Sequence, residues 1–117
     1  MGDDKQMKEN LLKIINNYGI SNQLKKLSEE TFELQEAIIK LEQYIINVSN
    51  EDPIYDEYIK KEIDNKYILH IEEEIADVLV MVMQFKEYYH IDGKEIMKIM
   101  REKIDRQLDR IEKEKNK

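Results

Sequence analysis

The sequence predicts an all-α fold, a bundle of four to five helices. Apolar residues recur at spacings of three and four along most of the chain, the period of a helix with one buried face. The 117 residues include only three glycines and one proline, and 38% are charged, a composition suited to long helices. No stretch alternates apolar and polar residues as a half-buried strand would.

The first helix is expected from about Asp4 to Tyr18. Met7, Leu11, Ile14, Ile15 and Tyr18 share one face, and Gly19 suits the left-handed residue that ends a helix. A second helix starts near Ser21 and carries Leu24, Leu27, Thr31, Leu34, Ile38, Leu41 and Ile45 as a sustained seam. The stretch NVSNEDP, residues 47 to 53, is expected to break it, with Asp52 as N-cap and Pro53 as the first residue of the next helix. From Ile54 to about His90 the pattern is helical again, with an interruption near Asp64-Asn65. Asp92 followed by Glu95 reads as a capping box, and Ile91 with Ile96 as a hydrophobic staple. The last helix carries Met97, Met100, Ile104, Leu108 and Ile111 and gives way to a polar tail at residues 113–117. One domain covers 1–117.

Composition excludes several classes. There is no cysteine, hence no disulfide framework and no thiolate metal site. The N-terminus MGDDKQMKEN is too acidic and polar for a signal peptide, and Gln6 stands where a myristoylation signal has Ser or Thr. No apolar run approaches the length of a membrane span. A cytoplasmic protein that binds no membrane is expected. The net charge of −7 argues against nucleic acid as a partner. It would also repel a polyphosphate unless a cation stood between the two.

In EEEIADVLVMVMQF, residues 72 to 85, every position from Val78 to Met83 is apolar. Such a helix is apolar all round, more than one small chain covers easily, so a homodimer or homotetramer is expected. A central helix within a monomer is the plainer alternative.

The carboxylates are placed less simply. With about 100° per residue and Leu27 as zero, Leu34 falls at about −20°, Glu30 at about −60° and Glu33 at about −120°. Glu30 therefore sits inside the edge of the apolar stripe and Glu33 just outside it. Asp77 lies between Ile75-Ala76 and Val78-Leu79, with Glu74 one turn before it. An unpaired buried carboxylate costs several kcal/mol, so Asp77 is expected to be neutralised, paired or bound to a cation. A spacing of three points both acids the same way along a helix. If the two helices pack antiparallel, Glu30, Glu33, Glu74 and Asp77 converge on one cleft. Oxygen ligands alone suit a hard ion, Mg²⁺ or Mn²⁺. Against this stands the abundance of acids, 26 in 117 residues, most of which serve as solvated faces in any helical protein.

KLSEETFELQEAI followed by EEEIADVLVMVMQ resembles the MazG-type all-α nucleoside triphosphate pyrophosphohydrolases, whose signature is E-x-x-E on one helix and E-x-x-D on the next long one. The resemblance covers roughly residues 20 to 112, while residues 39 to 71 carry no match of their own. It implies a Mg²⁺-dependent, oligomeric helical bundle that splits a nucleoside triphosphate into monophosphate and pyrophosphate. By position it implies Glu30, Glu33, Glu74 and Asp77 as catalytic metal ligands, with Glu29 and Glu73 as orienting carboxylates behind them. Lys103 and Gln107 resemble a Lys and amide pair that related enzymes carry on the last helix, with Gln107 where Asn is usual. Lys103, Gln107 and Arg110 share one flank of that helix and would hold phosphate oxygens. Two rivals remain at this stage: phosphoribosyl-ATP pyrophosphohydrolase, which shares fold and motif, and a non-catalytic helical interaction module. Phe32, Tyr55 and Tyr58 are candidates to stack on a base, or simply to pack. Glu87 and His90 form a single E-x-x-H, and a di-iron bundle needs two.

Overall fold

A computed structural model describes residues 2–51 and 57–116, and its regular structure among them is helical throughout. α1 spans Gly2–Tyr18, α2 Ile20–Glu51, α3 Glu57–Glu62, α4 Leu69–Tyr88 and α5 Gly93–Lys115, with a π-helical stretch, Ile63–Ile68, between α3 and α4. Three expectations about boundaries meet the structure here. Gly19 adopts φ 90°, and its N–H donates to Ile15 O at 2.8 Å while its own carbonyl accepts from Gln23 N at 3.1 Å. One residue therefore both ends α1 and begins α2. The interruption expected near Asp64-Asn65 is the π-helical stretch, whose flanking residues keep right-handed helical backbone. The break expected within residues 47–53 falls late in that stretch: α2 runs to Glu51, because Asn and Ser inside a helix cost only tenths of a kcal/mol each. The expected Asp52-Pro53 start and Tyr55 lie outside the described residues.

α1, α2 and α4 pack on one another. α2 and α4 run antiparallel, since Gln23 near the start of α2 meets Gln84 near the end of α4, while Tyr44 meets Tyr67 and Glu62 just before α4. The face of α2 turned toward α4 and α1 reads Gln23, Leu27, Glu30, Leu34, Ala37, Leu41 and Tyr44, all buried or half-buried, at spacings of four and three. On α4 the matching face is Ile71, Glu74, Val78, Met81 and Phe85. Among the described residues the buried apolar core is small: Leu11, Ile15, Ala37, Ile63, Met81 and Phe85. Four of the seven residues of the seam expected on α2 (Leu24, Thr31, Ile38 and Ile45) are exposed instead. A single chain covers one flank of that helix and leaves the other open.

α5 buries no residue and packs substantially against no other element. Among the described residues no helix is long and apolar enough to cross a membrane.

Candidate functional site

Antiparallel pairing sets Glu30 of α2 opposite Glu74 of α4, both at positions where the two seams would otherwise place apolar side chains. Glu30, Glu33 and Glu74 each bring an oxygen within 4.8 Å of the others. Glu30 and Glu74 are largely buried, their side chains 13% and 15% exposed, and Glu33 is exposed at the rim. Glu30 Oε2 and Glu74 Oε2 are both shut off from solvent with no hydrogen-bond partner. Their other oxygens have weak support, Lys26 Nζ lying 3.6 Å from Glu30 Oε1 and His70 Nε2 3.5 Å from Glu74 Oε1.

Charge crowding shows in the acidity of Glu30. Desolvation first, then repulsion from Glu33 and from Asp77, pushes its carboxyl above the ordinary value, with Lys26 pulling the other way and a hydrogen bond with Glu33 adding to the rise. Two orphaned oxygens on carboxylates grouped this closely call for protons or a cation, because an unpaired buried charge costs several kcal/mol. The oxygens of Glu30, Glu33 and Glu74 are a donor set that could hold a hard cation.

Asp77 is placed differently from the expectation. It lines the same cleft as Glu30 and lies near enough to raise its pKa, yet it is exposed and outside the 4.8 Å group. Its apolar neighbours in sequence, Ile75, Leu79 and Val80, are themselves exposed in one chain, so nothing there shields it. Glu29 and Glu73 are exposed too.

Lys103, Gln107 and Arg110 do gather on one flank, where with Ile104 and Arg106 they border a shallow depression of α5. That depression shares no residue with the carboxylate cleft, and α5 does not pack substantially on α2 or α4. Phe32 and Tyr58 are exposed and do not line the cleft. His90 closes the end of α4 on the surface, and His70 is half-exposed beside Glu74.

The cleft itself, about 400 Å³, opens between α1, α2 and α4. Carboxylates Glu30 and Asp77 stand at one end and the amides of Gln23 and Gln84 at the other, with Ile14, Tyr18, Val80 and Met81 as apolar wall. Neither glutamine stood out from sequence, although Gln84 is the first polar residue after six apolar ones, a signal that could have found it. No protein-family model, curated protein or solved structure matches the chain.

Proposed function

We propose that this chain is a Mg²⁺-dependent nucleoside triphosphate pyrophosphohydrolase, working as a homodimer or homotetramer. The observation that carries the reading is the facing pair Glu30 and Glu74, each with a buried oxygen lacking a partner, joined by Glu33 within 4.8 Å. A structural seam has no reason to place two such carboxylates opposite one another, whereas a cation cradle does. The sequence motifs E-x-x-E and E-x-x-D support the substrate class.

Mg²⁺ or Mn²⁺ held by Glu30, Glu33 and Glu74 would neutralise phosphate charge and polarise the phosphate oxygens. Glu33, at the exposed rim, is the carboxylate best placed to orient a water and accept its proton. The chain has no Gly-rich loop to position a γ-phosphate for transfer, so attack at the α-phosphorus with pyrophosphate leaving intact is the favoured course.

A screen of nucleoside triphosphates with Mg²⁺ should yield monophosphate and pyrophosphate, with oxygen-18 from labelled water entering the monophosphate. Phosphoribosyl-ATP, assayed in parallel, separates the nearest rival substrate. Glu33→Gln and Asp77→Ala should each lower turnover by about 10²-fold or more. Orthophosphate as the main product, or label only in the pyrophosphate, would overturn the mechanism.

A further inference from the structure

Gln23 and Gln84 are among the most buried side chains in the molecule, 4% and 1% exposed, and they are the only buried polar residues among those described. Gln23 Nε2 donates to Gln84 Oε1 at 2.8 Å. Gln84 Nε2 reaches only the sulfur of Met81 at 3.7 Å, a weak acceptor. No donor among the described residues serves Gln23 Oε1. One hydrogen bond thus locks the pair and leaves Gln23 Oε1 and part of the Gln84 amide's donor capacity for a group in the cleft; neither atom is sealed off without a partner as Glu30 Oε2 and Glu74 Oε2 are.

Both amides border the cleft that runs to Glu30 and Asp77. The two helices supply the same offset: Gln23 precedes Glu30 by seven residues, and Gln84 follows Asp77 by seven. Seven residues are about two turns, roughly 10 Å along each helix. The cleft therefore presents carboxylates at one end and, about 10 Å away, an acceptor and a donor side by side above apolar wall. Planar heteroaromatic rings with a donor and acceptor on one edge suit such an end, since apolar contact takes the ring faces and the amides take the edge.

We propose that Gln23 and Gln84 form the base-reading end of this cleft, taking the edge of a nucleobase while its phosphates lie toward the carboxylates. The proposal rests on the pyrophosphohydrolase reading for the phosphate end, and on the amide geometry alone for the base end. Tyr18 and Ile14, both on α1, wall the ring, which makes α1 part of substrate selection.

The test uses the full chain and two probes. The first is each of adenosine, guanosine, cytidine and uridine, without phosphate and without metal, added to ¹⁵N-labelled protein. The side-chain amide resonances of Gln23 and Gln84, assigned through Gln23→Leu and Gln84→Glu, should shift with one or more of the four. The second is hydrolysis of the four triphosphates by both variants. The ratio of kcat/KM between the best and worst base should change by at least about tenfold, mostly through KM, because a site built to bond a polar edge discriminates strongly against its absence. Gln84→Glu places a carboxylate where the side chain is 1% exposed, so Gln84→Met, of similar length and without charge, is assayed beside it and guards against a variant that merely fails to fold. A purely structural amide pair would lower stability in both variants and leave the base ratio as it was. Unmoved amides together with an unchanged ratio overturn the inference while leaving pyrophosphohydrolysis in place. Shifted amides with no triphosphate hydrolysed retain the base cleft and overturn the hydrolase reading.

Discussion

Glu30 occupies a seam position that a leucine could fill, and its chemistry differs accordingly. Its carboxyl is pushed above the ordinary 4.5 mainly by desolvation and by Glu33 and Asp77. The metal-free folded chain therefore holds that proton more tightly than the unfolded chain does. By linkage, stability from this group is fully present below about 4.5 and is lost as pH rises through the raised folded value. Glu30→Gln removes the charge and keeps the shape, so without metal the variant should melt above the parent at neutral pH. The two melting curves should converge on acidification. Mg²⁺ should reverse the order: at a hundred times its dissociation constant it adds about 2.7 kcal/mol to the parent, and much less to a variant missing a ligand. Thermal melts with and without Mg²⁺ across pH decide this. Identical parent curves with and without the ion would count heavily against a metal site. Glu30 and Glu33 share a side of α2 as their spacing of three implies, because that spacing survives into any regular helix, and antiparallel packing adds Glu74; the same spacing on α4 does not bring Asp77 into the group. Asp77 was legible as a cleft residue but not in its exposure, since burial depends on what covers α4 and one chain covers only part of it.

At the scale of elements, the junction of α4 and α5 is the clearest case of local sequence deciding structure. Ile91 N–H donates to Lys86 O at 2.9 Å and His90 N–H to Glu87 O at 3.4 Å, the paired bonds that close a helix around a left-handed residue. His90 carries that conformation with φ 54°, where glycine is the usual choice. Asp92 then accepts from Lys94 N at 2.9 Å and starts α5. His90→Gly should raise stability by roughly 1 kcal/mol through relief of left-handed strain. Asp92→Ala should lower it by about 1 kcal/mol through loss of the cap. Urea midpoints at constant slope measure both. A His90→Gly variant with a lower midpoint would mean that the imidazole makes contacts worth more than the strain. Asp92 was readable in sequence because a cap needs only its own turn. The end of α2 was readable only to within the stretch 47–53, because Asn47, Val48 and Ser49 disfavour a helix too weakly to stop one that is already formed. Gln23 and Gln84 were hidden: they are sixty-one positions apart, and only antiparallel packing makes them a pair.

The whole molecule is far from compact. Its radius of gyration is 19.2 Å, against about 13 Å for a globular chain of this length. It exposes 9794 Å², where a compact monomer of its mass exposes about 6,800 Å². The excess is on the order of 3,000 Å² per chain, about 6,000 Å² for a pair, at the upper end of the 2,000 to 5,000 Å² or more that permanent assemblies bury in total. The open surface is also apolar in organised strips. Ile38, Leu41, Ile45 and Ile46 edge a shallow groove on α2; Leu79, Val80 and Val82 lie bare on α4; Met97, Met100, Ile104, Leu108 and Ile111 run the length of α5. A helix that buries nothing in its own chain has only its cap and its propensity to hold it, and isolated helices of this length are marginal in water. The proposed oligomer supplies the missing contacts. The protein should therefore sediment as a dimer or larger at micromolar concentration. Val82→Glu on α4, at 42% exposed, and Ile104→Glu on α5, at 54%, replace side chains that the chain itself does not bury. Each should give monomers or aggregates, since a charge would be forced into an apolar interface without a partner. Met81→Glu cannot serve, because Met81 is 3% exposed within a single chain and its loss would disrupt the core of the protomer. Circular dichroism separates the two kinds of failure: an interface variant keeps α1, α2 and α4 helical while α5 frays. A folded parent that sediments as a monomer would overturn the assembly and leave α5 without a reason to be straight.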